Sequence, residues 1–127
     1  MLDLRPVTVV GLDHVQLAAP PGCEAAARAF FSGLLGLEEV EKPEALRGRG
    51  GCWFAAPDGR ELHVGVEDPF RPAAKAHPAF AVDGYDAFRR RLADGGVRVR
   101  DDDEIPGVRR FYADDPWGNR LEFVESV

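Results

Sequence analysis

The second half of this chain restates its first, and that repeat limits the possible folds more than any other feature. Residues 13–20, Asp-His-Val-Gln-Leu-Ala-Ala-Pro, lead into an alanine-rich helical stretch, and residues 76–83, Ala-His-Pro-Ala-Phe-Ala-Val-Asp, lead into a second one. His14 and His77 therefore share one address in the repeat. At the far end of each half a turn opens an apolar strand, through Pro57, Asp58 and Gly59 in the first and Pro116, Trp117 and Gly118 in the second. Counted from the turn glycine, His63 pairs with Glu122. All 3 histidines of the chain thus fall at repeat-matched positions. If the halves pack about a pseudo-twofold axis, four side chains of metal-ligand type can converge on it.

Each half reads as β-α-β-β-β. Residues 7–19 form a strand, β-branched at first and then alternating around His14, Gln16 and Ala18, with Pro20 and Pro21 as a stop. Residues 23–35 are helical, with Ala26, Ala27, Phe30 and Leu34 as an apolar stripe and Gly36 in the place of a C-cap. A short strand at 37–41, a loop at 42–50 and a hairpin of 51–56 with 61–67 complete module one, about 7–67. A proline-bearing connector, 68–76, leads to module two, 77–126. There the order is strand 77–82, helix 84–94, strand 97–101, loop 102–107, and strands 109–113 and 120–126. The acidic run Asp101 to Glu104 lacks calcium-loop spacing and reads as a solvated loop.

A chain of 127 residues is one domain, 1–127, and buries roughly two-thirds of its unfolded surface, so it needs no disulfide or structural metal to fold. Cys23 and Cys52 have no framework spacing and read as free thiols, which suits a reducing, cytoplasmic setting. No signal peptide is readable, and no window approaches the roughly 20 apolar residues that span a bilayer, so no membrane role is expected. The net charge of −6 disfavours nucleic acid as a partner.

The chain resembles the vicinal oxygen chelate superfamily, which takes in glyoxalase I, bleomycin-resistance proteins, fosfomycin-resistance thiol transferases and extradiol dioxygenases. The likeness rests on Leu12-Asp13-His14-Val15, on residues 30–37 after the first helix, on His77, and on residues 115–122, Asp-Pro-Trp-Gly-Asn-Arg-Leu-Glu. It implies an α+β fold of two tandem βαβββ modules forming a concave, partly open mixed-sheet barrel. It also implies one divalent ion per site, Fe(II), Zn(II), Ni(II) or Mn(II), held by His14, His77 and Glu122. Glyoxalase-type members carry a glutamate where this chain has His63, whereas extradiol dioxygenases carry a histidine that handles protons. Phe111 and Tyr112, ahead of Glu122, also match the dioxygenase pattern. That pattern begins with a further histidine, where this chain has Asp103, Glu104 and Ile105. Fosfomycin-type transferases have serines where Arg109 and Arg110 stand.

The residues carry parts of this reading unaided. Glu122, between Leu121 and Phe123, costs several kcal/mol to bury as a lone charge and so calls for a cation or a proton. Three protein ligands on an octahedral ion leave positions for two vicinal oxygens of a substrate. The resemblance makes His63, Tyr112 and Glu122 the catalytic candidates, and strand alternation adds Trp53, Phe54 and Arg110 as substrate-binding ones. Trp53 and Phe54 point to opposite faces, so one fills the core and the other lines a pocket; Arg110 shares a face with Tyr112. The expected activity is a metal-dependent dioxygenase or a glyoxalase-type lyase or isomerase acting on a small molecule. The rival is a metal-free antibiotic-binding protein of the bleomycin-resistance type. A homodimer is expected, with the site lying either within one chain or between two.

Overall fold

A computed structural model describes residues 2 and 4–127. The first sheet is built from β1 (His14–Ala19), β2 (Glu38–Val40), β3 (Cys52–Ala55) and β4 (Glu61–Val66), in the order β1-β4-β3-β2. The second, from β5 (Ala79–Val82), β6 (Arg100–Asp102), β7 (Arg110–Asp114) and β8 (Arg120–Glu125), has the matching order β5-β8-β7-β6. In both, the first strand pairs in parallel with the last and the other pairings are antiparallel. The two sheets are not hydrogen-bonded into a closed barrel, and β1 and β5 keep one free edge each.

Register makes the repeat physical. Gln16 lies beside His63, and Ala79 lies beside Glu122, so His14 and His77 each stand two residues ahead of the matching partner. Alternation along the strands then sorts the side chains. Leu62 and Val64 of β4, Phe54 of β3, Phe111 of β7, and Leu121 and Phe123 of β8 face the core, while His63, Trp53, Tyr112 and Glu122 face the other way. One continuous apolar cluster joins both modules. The first helix meets the end of α2 (Tyr85–Asp94) so closely that a Cβ on Gly95 would stand 2.9 Å from Leu34 Cδ2.

Several boundaries differ from the sequence reading. The first strand begins at His14 rather than residue 7: Leu4, Val7, Val9, Val10 and Leu12 are exposed and outside any strand, because no neighbouring strand is there to pair with them. The first helix is α-helical only over Glu24–Ala27 and widens to a π-helix over Arg28–Leu34, with Leu35 N donating to Phe30 O. The wider turn lets the consecutive Phe30 and Phe31 both face inward. The loop after β2 contains a 3-10 helix, Glu44–Arg49. His77 precedes β5 instead of lying within it, and β6 starts at Arg100 rather than 97. The acidic run is partly paired: Arg89 binds Asp101, and Arg110 binds Asp102. Cys23 and Cys52 are buried free thiols, and burial is the main cause that raises both, Cys23 to about 11.

Candidate functional site

The polar face of the first sheet carries an aromatic stack. The ring of His63 lies 3.8 Å from that of Trp53 at an interplanar angle of 3°, and 4.2 Å from that of His14 at 18°. Trp53 is thus the one of its pair that leaves the core; Phe54 is fully buried in it. Glu61, two residues along the same strand, accepts from His63 Nε2 at 2.9 Å. A carboxylate can only accept, so the proton sits on Nε2 and Nδ1 is the nitrogen left for other work. His14 is anchored the opposite way round. Its Nδ1 donates to Asp13 at 2.9 Å, leaving Nε2 free, and 44% of its side chain is exposed.

The second sheet presents a carboxylate held by a histidine and an arginine. His77 Nε2 is 2.9 Å from Glu122 Oε1, and Arg110 reaches the other oxygen at 3.3 Å. His77 Nδ1 donates to the carbonyl of Lys75 at 2.9 Å. That anchor is the arrangement ligating histidines ordinarily have, with one nitrogen fixed by a carbonyl or carboxylate and the other turned to the metal. The Nε2 to Glu122 contact then needs a shared proton or a cation in its place. Tyr112 sets its ring edge-on to His77, 5.5 Å between centroids, and lies under the guanidinium groups of Arg110 and Arg120. Arg110, 13% exposed, also binds Asp102, whose carboxyl is held below its ordinary range first by the Glu104 backbone N–H and then by Arg110.

The turn before β8 fixes this face. Asn119, buried, donates to Ala18 O and to Asp115, and accepts from Ala73 N. It thereby ties β8 to both β1 and the connector. Asp115 is buried enough that desolvation raises its carboxyl above the usual range.

The candidate ligands therefore gather as two pairs, His14 with His63 and His77 with Glu122. Among the described residues no group of three or more histidine, cysteine or carboxylate side chains is placed to hold a metal within one chain. The predicted substrate contact Arg110 lies against Glu122, with its charge spent on two carboxylates. Asp13, Glu61 and Arg120 were not singled out from the sequence. Glu61 and Arg120 could have been, since counting from the turn glycines makes them repeat partners. A groove of ≈ 550 Å³ runs between β1 and β5, bounded by His14, Glu61, Phe80, Phe88 and Phe123. No helix among the described residues is long and apolar enough to cross a membrane.

The Glyoxalase/Bleomycin resistance protein/Dioxygenase superfamily model matches residues 11–123. A glyoxalase family protein from Bacillus anthracis shares 50% identity and superimposes with a TM-score of 0.91, covering 97% of this chain and 100% of its own. A glyoxalase/dioxygenase from Nostoc punctiforme, 22% identical, has a TM-score of 0.76 over 98% of this chain and 99% of its own. A mutant of the fosfomycin resistance protein FosX from Listeria monocytogenes, complexed with Mn(II) and 1S,2S-dihydroxypropylphosphonic acid, is 20% identical. It has a TM-score of 0.76 over 94% of this chain and 95% of its own. No curated protein matches the chain significantly.

Proposed function

Because this chain belongs to the glyoxalase/bleomycin resistance protein/dioxygenase superfamily, we propose that it is a divalent-metal-dependent enzyme acting on a small substrate chelated through vicinal oxygens. One observation carries the reading. His14 and His77, repeat partners, both spend Nδ1 on an oxygen acceptor, the Asp13 carboxylate and the Lys75 carbonyl, and keep Nε2 for the site, and His77 Nε2 is already beside Glu122. The nitrogen and carboxylate donors suit Fe(II), Zn(II), Ni(II) or Mn(II), and the Mn(II)-bound FosX mutant shares the fold. His14, His77 and Glu122 would hold the ion.

A bound ion would supply positive charge to the two substrate oxygens and lower their pKa. The chain's own residues would do the rest. His63 has its opposite nitrogen anchored, so it serves as the acid–base group, with Nδ1 taking and returning the proton and Glu61 and Trp53 fixing the ring. Tyr112, packed on His77, would offer its hydroxyl to the bound oxygens. Trp53 would cover one wall and exclude water. A histidine at 63 favours a dioxygenase, and the lyase or isomerase reading stands beside it.

The ligand pairs lie apart in one chain, so the site is completed by a homodimer in which His14 of a second copy meets His77 and Glu122. The free edges of β1 and β5 and the exposed apolar residues Leu4, Val7, Val9, Val10 and Leu12 give that copy a surface to cover. Sedimentation should show a dimer.

The test is metal analysis followed by titration of the apo protein with the four ions. Saturable binding near one ion per chain, lost in His77→Ala, is expected. Oxygen uptake with Fe(II) and catechols would select the dioxygenase; turnover of 2-oxoaldehyde–thiol adducts without it would select the lyase. No binding of any ion would overturn the reading in favour of metal-free ligand sequestration.

A further inference from the structure

Three arginines stand on the polar face of the second sheet, and two are spent. Arg100 binds Asp114 at 3.0 Å, and Arg110 binds Asp102 and Glu122. Arg120 has no carboxylate partner among the described residues. Asp114, directly across from it in the β7–β8 register, is the residue taken by Arg100. In a chain with 22 acids against 16 lysines and arginines, a half-buried guanidinium left without an acid is conspicuous.

Its position is fixed from three sides. The Arg120 backbone N–H donates to Ala73 O, the preceding Asn119 is the buried clasp between modules, and the guanidinium carbon lies 4.8 Å from the Tyr112 ring centroid. The same ring touches His77. Arg120 is therefore one aromatic ring away from the His77–Glu122 pair and two residues from Glu122 along the strand. Stacking on a ring fixes the plane of a guanidinium while its N–H groups stay available. The repeat sharpens the point: its partner Glu61 bonds the site residue two places on, His63, whereas Arg120 leaves Glu122 to His77 and Arg110.

We propose that Arg120 is a substrate-binding residue that receives an oxyanion, a carboxylate or a group of like charge and shape, on the part of the substrate not chelated by the metal. The substrate class is then a small anion that carries vicinal oxygens at one end and the oxyanion at the other. This rests on the chelation reading above, and the test separates the two.

Full-length protein loaded with Mn(II) is titrated with 3,4-dihydroxybenzoate and 3,4-dihydroxybenzamide, which share a chelating end and carry at the other a carboxylate and a neutral amide of like shape. Wild type should bind the carboxylate about tenfold tighter or more, the scale of one charge-assisted hydrogen bond. Arg120→Gln should bring the ratio to about one, with Mn(II) affinity and unfolding midpoint unchanged, and Arg120→Lys should keep part of the preference. Tyr112→Phe, which keeps the ring, should keep the preference too. A ratio near one in wild type, or an equal ratio in wild type and Arg120→Gln, would overturn the assignment. If neither catechol binds, chelation fails by itself, and the anion site is then read in metal-free protein with inorganic phosphate. A phosphate-dependent rise in Tm that Arg120→Gln abolishes supports the assignment; no rise in wild type refutes it.

Discussion

Module one and module two share topology and register but present opposite chemistry at the same addresses. On the first sheet an acid, Glu61, serves a base, His63; on the second a base, Arg120, precedes an acid, Glu122, and leaves it to others. Module one offers aromatic rings stacked on one another. Module two offers a carboxylate between a histidine and an arginine. A repeat preserves where a side chain points, because β register and alternation fix that, and leaves free what the side chain is. Among the described residues neither face alone places three side chains to hold a metal. On the function proposed above, the two faces joined would supply two histidines and one carboxylate, with His63 as a separate proton carrier.

The cores differ in the same manner, and truncating them should give the largest effects. Phe111 packs on Tyr85, Phe88 and Phe123, with ring centroids 5.6, 6.4 and 5.0 Å away, while among the rings of the described residues Phe54 meets Phe31 alone, at 5.5 Å. Both are fully buried. Replacing either with alanine should cost about 3–5 kcal/mol. Phe111→Ala should fall at the upper end, because each aromatic pair adds about 0.5–1.5 kcal/mol beyond burial. Denaturant unfolding of the two variants would measure the gap. Equal losses would mean that the extra rings of module two add nothing.

Next come the site residues. Glu122→Ala strips Arg110 of one of its two carboxylates and His77 of its side-chain acceptor, and should destabilise the protein more than His14→Ala does. His14→Ala, at an exposed position, should change stability by no more than about 0.5 kcal/mol. Both should weaken metal binding by about a hundredfold or more, beyond what loss of an outer partner costs. Calorimetric titration beside urea unfolding would test both halves of that claim. A large stability loss in His14→Ala would show that the His14–His63 stack is structural.

The turn residues supply a third contrast. Asn119 and Arg60 are repeat partners, yet Asn119 is buried and joins three backbone segments, whereas Arg60 is exposed and bonds Asp58 and Leu12 O. Asn119→Ala should cost about 2–3 kcal/mol, since it orphans Ala18 O and Ala73 N. Arg60→Ala should cost about 0.5 kcal/mol or less. Asn119→Asp, which cannot donate to Ala18 O, should not rescue the loss.

The two tandem βαβββ modules and the repeat-matched places of His14, His63, His77 and Glu122 were legible in the sequence because the repeat and the period-two alternation are local signals. What was not legible depends on partners. Residues 7–13 have strand composition but no neighbouring strand, so propensity alone misread them. The π-type turn at Arg28–Leu34 follows from two consecutive phenylalanines meeting one core. Arg110 and Arg120 look alike in sequence; only the positions of Asp102, Asp114 and Arg100 reveal which is spent. The separation of the candidate ligands into two pairs is a matter of how modules dock, which no spacing encodes.

The smallest effect concerns acid. Glu24 in module one and Asp102 in module two are both held below their ordinary carboxyl range, each chiefly by a backbone N–H, from Gly51 and Glu104 respectively. A folded-state pKa below the unfolded one means the stabilisation is present above about pH 4 and is lost as pH falls through the folded value. Glu24→Gln and Asp102→Asn should each flatten the acid limb of the stability curve. The modules part at the secondary causes. Arg110 also lowers Asp102 through its charge, whereas Glu24 accepts from Gly51 N at 2.8 Å with the buried Cys23 thiol as its side-chain neighbour. At about 1 M salt, where screening acts within roughly 3 Å, the Asp102→Asn effect should shrink while the Glu24→Gln effect persists. Equal salt sensitivity would mean that Arg28, a minor contributor at Glu24, matters as much there as Arg110 does at Asp102, and the contrast between a backbone-held and a charge-held carboxylate would collapse.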